Sequence, residues 1–318
     1  MAQKARRRKG NPVSGWVIID KPEGPSSTQV VARVRRAFNA QKAGHAGTLD
    51  PLATGILPIA LGEATKTIPF IQDREKTYRF TLTWGRSTTT DDREGETLET
   101  SPVRPDEPAI KAALATFVGE IQQVPPQFSA VHVDGKRAYN LARAGEKLDL
   151  AARRVVIHEA RLLGCPSKDE ARLEIRCSKG TYVRALARDL AIKLGTCAHV
   201  TALRRTRLGP FDETAAIKLD NLETLSHDAA AVGPPSGDPL AGAEGTVLLP
   251  LETALDDIPA LALNGEEAAR LKMGQMVLLR GRDAPILSGP VLATHGGNPV
   301  ALTEFVKGKL QPVRVFML

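Results

Sequence analysis

Alternation between apolar and polar positions is clearest at residues 77–84. Tyr78, Phe80, Leu82 and Trp84 alternate with Thr77, Arg79, Thr81 and Thr83, the period of two that predicts a strand with one buried and one polar face. Upstream, the apolar run from Trp16 ends in Asp20-Lys21-Pro22-Glu23-Gly24-Pro25, a strand running into a turn of breakers. Ser26 with Gln29 three residues on is a capping-box pattern. Val30, Val31, Val34 and Phe38 then recur at helical spacing, with Arg33, Arg35 and Arg36 on the other side, which predicts a basic amphipathic helix. Helical patterns follow at 106–121 and 135–149, strand patterns near 154–164 and 170–178, and a helix from Thr181 to Leu194.

These elements mix without a regular βαβ alternation, and neither a Walker nor a dinucleotide glycine motif is present. The predicted class is α+β, with a mixed, largely antiparallel central sheet flanked by helices, and no nucleotide cofactor is expected. Residues 226–246 are rich in Ala, Gly and Pro and read as a linker. Beyond it, short apolar runs such as Met276 to Leu279, Pro285 to Leu287 and Val300 to Phe305 alternate with Gly, Asn and Pro turns, predicting a small β-rich domain. The expected organisation is a basic tail at 1–13, a large domain at 14–225, the linker at 226–246 and a terminal domain at 247–318. Such a linker predicts that the large domain folds without the terminal one.

The chain has 318 residues, 42% of them hydrophobic, enough for a sizeable core. No apolar run approaches the ~18 residues of a membrane span, so no membrane association is expected. Lys and Arg outnumber Asp and Glu by 43 to 36, and Lys4, Arg6, Arg7, Arg8 and Lys9 crowd the start. The apolar stretch after them is too short for a secretory signal. A mitochondrial presequence would need an amphipathic helix pattern that is missing, so an arm reaching for phosphates in a cytoplasmic protein is the preferred reading. Cys165, Cys177 and Cys197 form no Cys-x-x-Cys, and Cys197-Ala198-His199 reads as a core thiol beside a histidine; no metal site is expected.

The densest unusual segment is Gly44-His45-Ala46-Gly47-Thr48-Leu49-Asp50-Pro51-Leu52-Ala53-Thr54-Gly55. Taken alone, Asp50 before Pro51 reads as a helix N-cap with proline at the first helical position, and His45 as a hydrogen-bonded loop histidine. The segment resembles the signature of the bacterial tRNA pseudouridine-55 synthase family, the TruB type. Further blocks agree in order and spacing: Asp20-Lys21-Pro22-Glu23-Gly24, Lys76-Thr77-Tyr78, Asp91-Asp92-Arg93-Glu94-Gly95, Pro125-Pro126-Gln127-Phe128-Ser129-Ala130, Lys179-Gly180-Thr181-Tyr182-Val183-Arg184 and Leu203-Arg204-Arg205-Thr206.

The resemblance implies a pseudouridine synthase fold with a PUA-like terminal domain. It implies an isomerase that turns uridine into pseudouridine at position 55 in the TΨC loop of tRNA, without metal or other cofactor and without a protein partner, as a monomer. Asp50 would break the C1′–N1 bond and allow C1′ to bond to C5, as nucleophile or as proton acceptor from the ribose. Tyr78 would stack on the target base, and Arg184 would pair with Asp50 and orient it. Tyr182 and Leu203 would line the base pocket, Lys21 would lie in the turn approaching it, and His45 would fill the gap left by the flipped base. Tyr78 also reads as a core tyrosine on its alternating strand. Where the family reads Tyr-Ser-Ala-x-Lys, this chain has Phe128-Ser129-Ala130-Val131-His132, losing a hydroxyl and exchanging a fixed charge for a titrating one. The alternatives are a non-catalytic RNA-binding or tRNA-folding protein and a related synthase acting on another RNA. A carboxylate at Asp50 paired with Arg184 separates the first of these, since a pure binder gains nothing from an acid facing phosphate.

Overall fold

The computed structural model describes residues 10–129, 131–133, 136–143, 145, 148–222, 247–279 and 288–318. The start of the basic tail, the 226–246 linker, the 285–287 run and the side chain of His132 therefore lie outside the described residues.

A ten-stranded sheet runs through the chain in the order Ile217–Lys218, Gly15–Lys21, Thr54–Leu61, Ala198–Leu208, Lys76–Trp84, Glu170–Cys177, Arg153–Ser167, Gly119–Gln123. The short strands Ala43–His45 and Phe211–Asp212 pair off this path. Among the described residues two pairings of this sheet are parallel, that of Gly15–Lys21 with Ile217–Lys218 and that of Thr54–Leu61 with Ala198–Leu208. The sheet is thus mixed and largely antiparallel, as the element order predicts. Helix Ser27–Ala37 starts at Ser26 with both hydrogen bonds of the capping box.

Two expected helices are shorter than their patterns. Glu107–Ala115 stops early, and Gly119 at φ +108° turns the chain into a strand where Ile121 and Gln123 alternate with polar residues. In the 135–149 region only Ala138–Arg143 is helical among the described residues. The pattern also missed helix Gly265–Lys272, which carries its own capping box between Asn264 and Glu267.

Strand Gly15–Lys21 is buried on both faces, so its run of apolar residues serves two cores. Val17 and Ile19 join Leu57, Ile59, Phe80, Leu82 and Trp84 under helical residues Val30, Val34, Leu114, Leu186 and Leu190. Trp16 and Ile18 face the other way and pack with Ile56, Phe211 and Leu255, with Leu292 and Leu302 of the terminal sheet, and with Phe316 just past its last strand. The Trp16 and Phe211 rings lie 5.4 Å apart. Trp16 and Leu249 exchange backbone hydrogen bonds at 2.8 and 2.7 Å. Residues on both sides of 223–246 thus share one core, which counts against the expectation that the large domain folds without the residues beyond 246.

The terminal sheet has five strands in the order Ala260–Ala262, Gly289–His295, Asn298–Val306, Lys309–Val315, Val277–Leu278. Its other face packs on Ala268 and Leu271 of the helix. Among the described residues no helix is long and apolar enough to cross a membrane.

Candidate active site

Between strands Ala43–His45 and Thr54–Leu61 the chain forms the loop that carries Asp50. Ala53 N donates to Asp50 O at 3.0 Å, closing a turn with aspartate at its first position and proline at its second. No helix follows. The N-cap reading of Asp50 is therefore corrected: the pair Asp50-Pro51 serves a turn, and the side chain is left free for another partner.

The backbone of this loop is held from beneath. The buried Ser27 hydroxyl donates to Leu49 O at 3.0 Å and accepts from Leu49 N at 2.9 Å. Gly24 N donates to Pro51 O at 2.9 Å. Lys21, 0% exposed, places Nζ on Pro22 O, Pro51 O and Ala53 O at 2.9, 3.1 and 2.6 Å. Burial lowers the Lys21 pKa to about 8, against the attraction of Asp50, Glu23 and Glu94. Lys21 is thus committed to backbone under the loop.

Arg184 stands in the first turn of helix Val183–Lys193, a turn without an acidic residue. A cation there opposes the helix dipole, and two carboxylates offset the cost. Nη2 lies 2.9 Å from Asp50 Oδ2 and Nη1 lies 3.4 Å from Asp92 Oδ2. The guanidinium also donates to Thr90 O at 2.8 Å and Phe128 O at 3.0 Å. Side-chain exposure is 6% for Arg184 and 4% for Asp92, but 36% for Asp50. Asp92 is itself fixed by the Thr90 hydroxyl at 2.5 Å and Glu94 N at 3.0 Å. The arrangement is a buried, preorganised clamp presenting one open carboxylate.

Tyr78 is half-buried on strand Lys76–Trp84, packed against the helical-face core. Burial raises its pKa, and Arg205 opposes the rise. Leu203, paired in register with Phe80, is buried two residues away from Arg205. Tyr182 is held by its backbone: Gln123 Oε1 accepts from its N–H at 2.8 Å and Gln123 Nε2 donates to its carbonyl at 3.2 Å. Burial pushes the Tyr182 phenol up as well. The charge of Asp50 reaches Lys21, Tyr78 and Tyr182. His45 ends the short strand before the loop, paired with Ile59.

The sequence blocks that looked separate converge here. Arg204 binds both oxygens of Asp20 at 2.8 and 3.0 Å, Thr54 Oγ1 donates to Leu203 O at 3.4 Å, and Arg93 contacts Glu23. Ser27, Asp92 and Arg205 were not singled out from the sequence. Asp92, in the run Asp91-Asp92-Arg93-Glu94, is buried although all four residues of that run are charged.

Two surface clefts, of about 230 and 610 Å³, lie elsewhere, around Thr77, Glu174 and Arg176 and around Asp73, Arg74 and Arg207. Thr77 and Tyr78 point to opposite faces of the strand, so these clefts open on the back of the sheet. Among their charges Arg176 pairs with Glu75 and Glu159, and Arg74 with Asp256 and Asp257.

Residues 35–183 match the TruB family pseudouridylate synthase N-terminal domain, and residues 184–256 the tRNA pseudouridylate synthase B C-terminal domain. The chain is 54% identical to the tRNA pseudouridine synthase B of Caulobacter sp. (strain K31), over 99% of each chain. It is 49% identical to the protein of that name from Agrobacterium fabrum (strain C58 / ATCC 33970), over 99% of this chain and 98% of that one. In three dimensions it is similar to a chain of a Cbf5-Nop10-Gar1 complex, with TM-score 0.69 and 26% identity over 95% of this chain and 85% of that one. A chain of an H/ACA RNP bound to a substrate RNA containing 2′-deoxyuridine shares the fold at TM-score 0.71 and 24% identity, over 99% and 92%.

Proposed function

This chain belongs to the TruB family of pseudouridylate synthases, and from that membership we propose that it isomerises uridine to pseudouridine at position 55 in the TΨC loop of tRNA, with Asp50 as the catalytic residue. The observation that carries the assignment to Asp50 is the contrast in exposure: the carboxylate is open while Arg184 and Asp92 behind it are buried.

Two routes fit a single carboxylate beside the anomeric carbon. Asp50 attacks C1′ as uracil leaves from N1 and is itself displaced when C5 bonds there, or it takes a ribose proton as that bond breaks and returns it to the same ribose carbon as C1′ bonds to C5. Either way the base turns, C1′ bonds to C5, the proton on C5 leaves and N1 gains one, so the product is an isomer and no water is consumed. Tyr78 offers a flat face for the base, Leu203 and Tyr182 an apolar wall, and His45 a side chain for the space the nucleotide vacates. Arg184 orients the carboxylate throughout, and Lys21 supports the loop below it.

The reading extends to organisation. Residues 14–225 form the catalytic unit and 247–318 a PUA-like RNA contact, with the basic tail steering phosphates. One copy of the chain suffices, because Asp50, Tyr78, Tyr182, Arg184 and Leu203 come from a single chain, and it works in the cytoplasm where tRNA matures.

The test is Asp50→Asn with tRNA tritiated at C5 of the target uracil. Asparagine keeps the shape and removes charge and basicity, so folding and tRNA binding survive and tritium release falls to background. Release at the wild-type rate rejects Asp50 as the catalytic residue.

A further inference from the structure

Arg205 lies on strand Ala198–Leu208 and is 1% exposed. Burying an arginine is costly unless its donors are satisfied, so the partners it has taken are informative. Nε donates to Ile56 O at 2.8 Å and Nη2 donates to Gly47 O at 3.0 Å. Those two carbonyls flank the Asp50 turn, one on each side. The backbone of Arg205 pairs directly with Gly55, at the end of the same loop. Gly55 sits at φ +96°, and a Cβ there would collide with the Arg205 carbonyl oxygen, so this approach needs glycine. Across the sheet, Arg205 stands opposite Tyr78 in the antiparallel register, which places the two side chains as direct cross-strand neighbours. One residue therefore touches both arms of the Asp50 loop and faces the aromatic ring.

We propose that Arg205 is a positioning residue, whose guanidinium fixes the separation between the Asp50 carboxylate and the Tyr78 ring so that a uracil stacked on that ring presents C1′ to the acid. This rests on the function proposed above. The residue type follows from the geometry. Two acceptors on separate arms require donors in fixed, divergent directions, which a planar guanidinium provides and a point-like ammonium does not. Lys21 illustrates the contrast, since the acceptors of its single nitrogen converge on one point. The influence of Arg205 on the Tyr78 phenol is consistent with this proximity.

The experiment compares Arg205→Lys and Arg205→Gln with wild type for tRNA affinity, single-turnover rate constant and melting temperature, each also in a Tyr78→Phe background. Wild-type protein that forms no pseudouridine defeats the underlying function and is recognised at once. Given an active wild type, the Lys variant keeps tRNA affinity within about threefold, because phosphate contacts elsewhere carry binding. Its rate constant falls by roughly tenfold to a hundredfold, the scale set by about 1 Å of misplacement. In the Tyr78→Phe background the same change costs fewer fold, since the ring has lost its polar handle. The proposal is overturned by a wild-type rate constant in either folded variant, by an equal loss in both backgrounds, or by failure of both variants to fold, which makes Arg205 a structural residue only.

Discussion

Arg184 and Asp50 meet at 2.9 Å across the boundary between the protein interior and solvent, the guanidinium inside and the carboxylate at the edge. The cation keeps its place without Asp50, because Asp92, Thr90 O and Phe128 O also hold it. Arg184→Met should therefore cost about 3–5 kcal/mol of stability, because it strands the buried Asp92 charge. Adding Asp92→Asn should recover much of that loss without restoring turnover. Denaturant melts of the two variants decide the matter, and a Met variant as stable as wild type contradicts the clamp.

Tyr78 separates a stacking surface from a core residue. Tyr78→Phe should keep most base binding, while Tyr78→Leu should cost about 1–3 kcal/mol of it by losing the flat face. Steady-state kinetics on a TΨC stem-loop report the difference. Equal behaviour of the two variants leaves Tyr78 as packing alone.

Asp91 gives a pH dependence of defined sign. Burial raises its pKa from 3.8 to about 6, more than Arg188 and Arg184 lower it. Between those values the native chain holds a proton that the unfolded chain has lost. The contribution to stability is thus complete below 3.8 and is lost as pH rises through about 6. Asp91→Asn keeps the proton-bearing shape at every pH, and asparagine tolerates φ +58°. Melting temperatures from about pH 4 to about pH 7 should fall less steeply in the variant than in wild type. Parallel curves rule the assignment out.

The shared core predicts that ending the chain at residue 246 exposes Trp16, Ile56 and Phe211 and yields an unstable or insoluble protein. Phe316→Ala is the gentler probe and should cost about 3–5 kcal/mol, although it lies just past the last strand of the terminal sheet. A truncated chain that melts like the full one refutes the dependence.

What the sequence revealed and hid has physical causes. Strand Lys76–Trp84 was legible because one face is wet and one dry, so its alternation is clean. Strand Thr54–Leu61 was not, because Leu57 and Ile59 feed one core and Ile56 and Ala60 the other, and Pro58 interrupts the run. Strand Ala198–Leu208 was hidden by polar residues that are nonetheless buried: His199 Nδ1 donates to Arg86 O at 2.9 Å, and Arg205 serves the loop. Arg205 is written among Arg204 and Arg207: the pleat separates it from Arg204, and only the register shift between Arg205 and Arg207 turns the latter outward. At the site, the pairing of Asp50 with Arg184 came with the resemblance, whereas the contacts of Ser27 with Leu49 and of Asp92 with Arg184 join residues far apart in the chain and leave no local pattern.

Lys21, Ser27 and Arg205 grip the Asp50 loop only through its backbone carbonyls and amides. The path of the loop is consequently written in three other parts of the chain, and its outward side chains, Thr48 and Pro51, are not what shapes it. The Gly44–Gly55 signature is for that reason not a portable motif. Grafted onto a foreign scaffold it would bring the acid but not the geometry, whereas drift at Thr48 should be tolerated here as long as the three anchors stay.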